Sequence, residues 1–345
     1  MINTNVLIVG AGPAGSVCAS LLQKAGVDCL LIDHATFPRD KICGGGLTPK
    51  AWKLLDRLIP GIEYEFIKVN HIKLLINARK GCEFYSDSEL RIVRRRDFDA
   101  VLLQHYRNSG GAFLKDAFLK AEEKEDSIEV ELKSGETVKC QYLIGADGSN
   151  SHVRRHLTGK SDRGILAMEQ YMERSDGDDN DDVIVNLTRQ YDKGGYFYKF
   201  PNISHNVVGY GDNSTTPERF RQVMTDMKIP VGKARGAYIF NNNDYPLHDR
   251  IILIGDAGGF ANRLTCEGLF DAFQTAQNAA TAVVNGVPFS ATNKKVFKKM
   301  KKETVFAHLF FSAPGFVVLR LMCHFPKLIK RCFDIKMNRE SFFRK

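Results

Sequence analysis

Four stretches of the chain are apolar without interruption: Val6–Val9, Cys29–Ile32, Tyr142–Ile144 and Ile251–Ile254. Runs this short with no polar alternation read as strands buried on both faces, as in a parallel sheet. Other segments repeat every three to four residues. Helices are predicted from Ser16 to about Ala25, over Pro49 to Leu58, from Arg94 to about Asn108, over Pro217 to Met227, and from near Glu267 to about Val284. In the third of these, Phe98, Val101, Leu102 and Tyr106 fall on one face. A third pattern is looser alternation, from about Asn70 to Ile92 and over Val183–Leu187, Gly195–Phe200 and Asn206–Tyr210. It predicts a second, mainly antiparallel sheet. Ile128–Leu132 and Val138–Cys140 also read as strands, joined at Ser134-Gly135-Glu136. The acidic stretch from Ser175 to Asp182 is predicted to be a mobile loop.

The turns after the apolar runs carry the chemistry. Val6–Val9 runs into Gly10-Ala11-Gly12-Pro13-Ala14-Gly15, a GxGxxG spacing. Gly10 permits the tight turn, Gly12 lets a pyrophosphate approach the backbone, and Gly15 lets the following helix pack close. That helix presents its N-terminal N–H groups to the phosphates. Cys29–Ile32 ends in Asp33, placed to accept the ribose hydroxyls of an adenosine. Tyr142–Ile144 ends in Gly145-Ala146-Asp147-Gly148, and Ile251–Ile254 in Gly255-Asp256-Ala257-Gly258-Gly259. Carboxylates and free N–H groups at the ends of parallel strands are where open α/β sheets bind ligands. Between these, Lys41-Ile42-Cys43-Gly44-Gly45-Gly46 forms a loop whose glycines suit close backbone approach to a ligand. Cys43 has two open readings, a small buried hydrophobe or a thiol facing that ligand. The run Arg94-Arg95-Arg96 opens a helix against its dipole, so at least one arginine is expected to have an anionic partner.

With 43% hydrophobic and 26% charged residues over 345 positions, the composition is that of an ordinary folded protein with a sizeable core. The eight cysteines are scattered singly, with no CxxC pair, which suggests a reducing, cytoplasmic compartment and no structural metal. The first apolar run reads as a strand rather than a signal peptide. From Asn293 onward there are 14 Lys/Arg against 3 Asp/Glu, a surplus of +11 in a chain whose net charge is +9. The body is therefore nearly neutral, which argues against a nucleic-acid groove. In the tail, Leu321, Met322, Phe325, Leu328, Ile329, Cys332 and Phe333 form an apolar stripe against Arg320, Lys327, Lys330 and Arg331. Such a helix can pack on the body or lie on an anionic membrane, and the one-sided charge favours the membrane.

Three of these segments, Gly10-x-Gly12-x-x-Gly15, Gly145-Ala146-Asp147-Gly148 and Gly255-Asp256-Ala257, resemble the FAD fingerprints of p-hydroxybenzoate hydroxylase-type flavoproteins. Arg95-x-x-Phe98-Asp99-x-x-Leu102 resembles the arginine segment of that group. Pro38-x-x-Lys41-x-Cys43-Gly44 and Tyr196-Phe197-Tyr198-Lys199-Phe200-Pro201 resemble the cysteine loop and the YxWxFP motif of the geranylgeranyl reductase family, with Tyr198 in place of tryptophan. Leu264-Thr265-Cys266-Glu267-Gly268 is similar to its TGEG segment, with Cys266 in place of a glycine.

The resemblance implies an α/β (α+β) fold. A Rossmann-like FAD-binding domain (1–70, 94–165 and 250–285) interleaves with an antiparallel sheet domain for substrate (71–93 and 166–249), followed by a basic helical region at 286–345. It implies that Gly10, Gly12, Pro13, Ala14, Gly15, Asp33, Lys41, Cys43, Gly44, Arg95, Asp147, Gly255, Asp256, Gly258 and Gly259 contact FAD. The last two would do so through N–H groups. Tyr196, Phe197, Tyr198 and Phe200 would line an apolar cavity, with Cys43, Tyr196 and Tyr198 the catalytic candidates. No second dinucleotide fingerprint follows, so NAD(P)H or a small reduced carrier would act only as a transient donor. The activity implied is saturation of prenyl double bonds on a lipid-borne isoprenoid, with Cys43 as proton donor; the tail, which the resemblance does not cover, adds the expectation of a cytoplasmic protein peripheral to the membrane. The alternatives are a flavin monooxygenase or halogenase, and a flavin-bound scaffold without turnover. The halogenase reading lacks a WxWxIP stretch, Trp52 being the sole tryptophan.

Overall fold

The computed structural model describes residues 1–161, 164–174, 182–192 and 194–339. Apart from Asp182, the acidic loop predicted from Ser175 to Asp182 lies outside the described residues.

The four continuous apolar runs do form one parallel sheet, in the order Ile251–Leu253, Tyr142–Gly145, Val6–Val9, Cys29–Asp33 and Ala112–Lys115. Alternate side chains enter two different cores. Val6, Ile8 and Leu31 join the helices Pro13–Lys24, Arg95–Asn108 and Leu269–Asn285 on one face. Leu7, Val9, Leu30 and Ile32 join Phe118, Ile128, Val130 and Val138 on the other. These last residues belong to a separate four-stranded sheet ordered Ile2–Asn3, Thr137–Cys140, Ile128–Leu132 and Phe118–Glu123. A sheet thus covers the face that a doubly wound fold would cover with helices.

The third sheet has eight strands, ordered Ala234–Ile239, Ile165–Met172, Asn206–Asp212, Gly195–Pro201, Val183–Thr188, Ile67–Ile76, Arg79–Ile92 and Gly46–Leu47. Its pairings are antiparallel except where Val183–Thr188 meets Ile67–Ile76 in parallel. That junction joins strands from two distant parts of the chain, and a long crossover imposes no hairpin reversal. The helix Pro217–Asp226 packs on one end of this sheet, where Phe220, Val223 and Met224 enclose Phe197 and Val208. The tail packs at the other end, with Phe316, Leu319, Cys323 and Ile329 buried against Val69, Ile72, Cys82 and Phe84. A buried ion pair ties it down further, with Lys299 Nζ 2.6 Å from Asp271, and within the tail Lys336 Nζ lies 3.0 Å from Glu303. The apolar stripe of the tail therefore divides. Ile329 and Phe333 face the sheet, while Leu321, Phe325 and Leu328 remain exposed.

Candidate active site

The glycine turns converge at the carboxyl ends of three neighbouring parallel strands. Gly10 has φ +105°, and a Cβ there would lie 2.5 Å from the Ala146 carbonyl oxygen. A Cβ on Gly15 would lie 1.8 Å from the Gly10 oxygen. A Cβ on Gly255 would come within 3.0 Å of the Ala14 Cβ. These contacts press the three turns together. Gly12 differs, because a Cβ there would meet nothing nearer than the Arg39 guanidinium at 3.5 Å. The helix Pro13–Lys24 starts at Gly12 with no side-chain cap. Its first turn therefore keeps N–H groups for an anion, with the positive dipole end and Arg39 beside them. Asp33 is buried, accepting from Ala11 N at 2.7 Å and from Ala35 N at 2.8 Å. The carboxylate braces the turn, and each oxygen keeps a second lone pair for a ribose hydroxyl. A dinucleotide pyrophosphate and ribose fit this donor and acceptor set.

The other predicted ligand groups are partly engaged by the protein itself. Asp147 accepts from Ser151 Oγ at 2.5 Å, His152 N at 2.6 Å and Val153 N at 3.3 Å, so it joins the N-cap Ser151 in holding the first turn of the helix His152–Thr158. Desolvation raises its pKa, against the pull of those bonds. Asp256 accepts from Ser149 Oγ at 3.3 Å. Gly259 lies at φ +75° and its N–H donates to the Asp256 carbonyl at 3.1 Å. That N–H closes the short helical turn Gly255–Gly258, which corrects the expectation that it faces a ligand. A Cβ on Gly258 would lie 2.3 Å from the Phe260 ring, so packing demands a glycine there.

The Lys41–Gly46 loop lies on the aromatic strand. A Cβ on Gly44 would lie 2.6 Å from the Phe200 ring and 3.1 Å from that of Tyr198, and one on Gly45 2.0 Å from the Val93 carbonyl oxygen. At these two positions the protein's own packing already requires a glycine. Cys43 is half-buried, and its Sγ accepts from Gly45 N at 3.4 Å. Arg95 reaches the Cys43 sulfur and holds Asp99 through two bonds of 2.8 and 2.9 Å. Arg39 meets the same Asp99 carboxylate at 3.2 Å. Asp99 is thus the anionic partner that the arginine run called for, and Arg94 pairs likewise with Asp97.

Strand alternation sorts the aromatic motif. Tyr196, Tyr198 and Phe200 share the face beneath the loop, with ring centroids 5.9 and 5.0 Å apart. Phe197 points the other way into the core around Phe220, which removes it from the predicted cavity lining. The Tyr196 hydroxyl donates to the Thr265 carbonyl at 2.6 Å. The Tyr198 hydroxyl donates to Glu169, a residue the sequence did not single out. Register explains that reach, since Glu169, Gly209 and Tyr198 stand in one row across three strands. A Cβ on Gly209 would lie 2.3 Å from the Tyr198 ring, so only a glycine lets the ring cross its strand. Glu169 is 3% exposed, and its second oxygen, Oε2, has no hydrogen-bond partner. Desolvation pushes its pKa up to about 7, against the Tyr198 bond and the charge of Lys41. Burial, then the neighbouring Glu169, likewise keeps the Tyr198 hydroxyl protonated.

A last loop closes the site. Cys266 takes φ +52°, in the left-handed region that favours glycine. Its half-buried thiol, pushed up to about 11 by desolvation, contacts the Tyr196 hydroxyl. Glu267 accepts from Thr48 and pairs with buried Lys50 at 2.8 Å, fixing this loop to the helix Pro49–Leu58.

Residues 3–229 match the family model described as FAD binding domain. The chain is 24% identical to geranylgeranyl diphosphate reductase of Synechocystis over 98% of this chain and 90% of that one. A geranylgeranyl bacteriochlorophyll reductase-like protein from Thermoplasma acidophilum superposes with a TM-score of 0.70 at 20% identity, covering 99% of this chain and 93% of that one. The flavin-dependent brominase Bmp2 superposes with 0.73 at 19% identity, covering 97% and 93%.

Proposed function

The chain belongs to the FAD-binding domain family and is an FAD-dependent oxidoreductase, and from that premise we propose that it saturates prenyl double bonds of a lipid-borne isoprenoid. Gly12, Ala14 and Arg39 would receive the FAD pyrophosphate, Asp33 the adenosine ribose, and the Gly255–Gly258 turn the part of the cofactor nearest the strand Ile251–Leu253. When bound and reduced by NAD(P)H or a small electron carrier, FAD would supply a hydride equivalent to one carbon of the double bond. The other carbon must take a proton, because an isolated alkene gains one hydride and one proton in forming two C–H bonds.

The observation that carries this reading is the buried acid row under the Cys43 loop. Glu169 is neutral over much of the range below pH 7, and Tyr198 hydrogen-bonds it. Cys43, which lies above the row, is the donor nearest the loop surface. Glu169 then stands as the reservoir behind Cys43 and Tyr198. Tyr196, Tyr198 and Phe200 give the apolar surface against which a prenyl chain would lie. The similarity to geranylgeranyl diphosphate reductase supports the same substrate class.

The test is anaerobic. The purified protein is reduced chemically, geranylgeranyl lipids are added, and products are weighed. Gain of two hydrogens per bond supports the proposal. Oxygen consumption with a product heavier by one oxygen atom would move the assignment to a monooxygenase.

A further inference from the structure

The tail carries a surface that the proposed chemistry does not use. Among the described residues, seven exposed large apolar side chains fall between Val305 and Leu328. Val317, Leu321 and Phe325 are 60%, 60% and 64% exposed, and Leu328 is 45% exposed. A cleft of about 440 Å³ opens on the last helix, Pro326–Asn338, where Leu328 follows the lining residue Lys327 in the chain. Lys327, Arg331 and Arg339 line it. Its acids are already engaged, Lys330 bridging Asp87 and Asp334 while Ser86 Oγ donates to Asp334 at 2.5 Å. Among the described residues no carboxylate pairs with Lys327, Arg331 or Arg339.

Apolar residues beside unpaired cations match one kind of partner by chemistry. We propose that the helices Ala313–Met322 and Pro326–Asn338 dock the protein on an anionic lipid bilayer. Val317, Leu321, Phe325 and Leu328 enter the acyl boundary, and the cleft takes a lipid phosphate through Lys327, Arg331 and Arg339. The surface lies on the membrane and does not span it. Among the described residues no single helix is long and apolar enough to cross, and the apolar pair Lys294–Phe310 and Ala313–Met322 is bent by 81°. A second copy of the chain fits less well, since a two-fold contact would set the cationic rim against itself. The inference is independent of which reaction the site performs.

The test sediments the full-length protein with phosphatidylglycerol vesicles and, separately, with phosphatidylcholine vesicles. The wild type should pellet with the former, much less with the latter, and be partly released by salt, because surface charge is screened within about 8 Å at physiological ionic strength. Leu321→Ser/Phe325→Ser should weaken binding at least tenfold. Lys327→Gln/Arg331→Gln should weaken it by about fivefold per charge, on phosphatidylglycerol alone. Bound FAD and circular dichroism report whether each variant is folded. Should one misfold, hydrogen exchange of the wild type gives the answer without substitution, with protection over 313–338 appearing on vesicle addition. Wild type that stays in the supernatant with phosphatidylglycerol, variants that pellet equally, or no added protection would overturn the proposal. So would a vesicle-free dimer that the serine variant dissolves, which would make a second copy the partner.

Discussion

The two halves of the site are built from different materials. The dinucleotide end is made of backbone, with Gly10, Gly15 and Gly255 pressing three turns together and N–H groups left open at Gly12. The aromatic floor is made of side chains on an antiparallel sheet, where Tyr198 crosses Gly209 to reach Glu169. A backbone site fails as a whole when its geometry changes, because neighbouring turns move with it. A side-chain site on a paired strand can lose one group and keep its shape. The first half should therefore respond to substitution in folding and cofactor content, the second in rate and pH dependence.

The sharpest break is Gly15→Ala. A methyl 1.8 Å from the Gly10 oxygen has no room, so little soluble yellow protein is expected. Gly12→Ala is the control that sharpens the contrast, since its nearest neighbour is a movable guanidinium at 3.5 Å. It should fold and bind FAD more weakly, as read by flavin released on denaturation. That released flavin should be intact FAD, and FMN would contradict the ribose contact assigned to Asp33.

Next in size are the acid variants. Cys43→Ala should keep FAD and accept electrons yet slow saturation by roughly 10²–10⁴-fold, the usual loss for one positioned acid. A variant that changes stability and leaves turnover intact would return Cys43 to a packing role. Glu169→Gln should act through pH. The wild-type rate should fall as pH rises through about 7, where Glu169 ionises, and the variant should lose that limb. Stability follows the same sign. The folded protein retains a proton between the ordinary carboxyl pKa and about 7, where the unfolded chain has released it, so stability drops as pH rises across that window. Thermal melts of Glu169→Gln should be flatter there.

Lys50→Met leaves Glu267 buried without its 2.8 Å partner, and a loss of about 3–5 kcal/mol is expected in denaturant unfolding. The smallest effect is Cys266→Gly. It relieves a side chain held at φ +52° and should stabilise by about 1 kcal/mol, less whatever the contact with Tyr196 contributes. A clear loss of stability would mean that this contact outweighs the strain.

The backbone half was readable in the chain because its signals are local. Val6–Val9, the three glycines and Asp33 lie within one strand–helix–strand unit, and the same holds for the turns at Gly145 and Gly255. The aromatic floor was half readable. Tyr196 and Tyr198 stood out, but Phe197 was grouped with them although strand alternation sends it to the opposite core. Glu169 gave no local signal at all. It matters only because residues 169, 209 and 198 fall in one row, and cross-strand register is not written in any single segment. Arg39 was missed for the same reason, being defined by its distance to Gly12 and Asp99. The tail's charge was plain in the sequence. Its division into a buried side and an exposed side depends on which strand the helix meets.

Lys299 and Asp271 join the tail to the helix Leu269–Asn285, and that helix begins one residue after the loop holding Cys266 and Glu267. Phe316, Leu319 and Ile329 fasten the tail again to the outer sheet. A tail held at two such points is a bracket and not a tether. A tethered domain tumbles freely and presents its opening in every direction, whereas a bracketed one keeps a fixed attitude. A surface that captured the exposed ridge would also set the compass bearing of the aromatic floor, and a substrate leaving it would meet the same side of the protein each time.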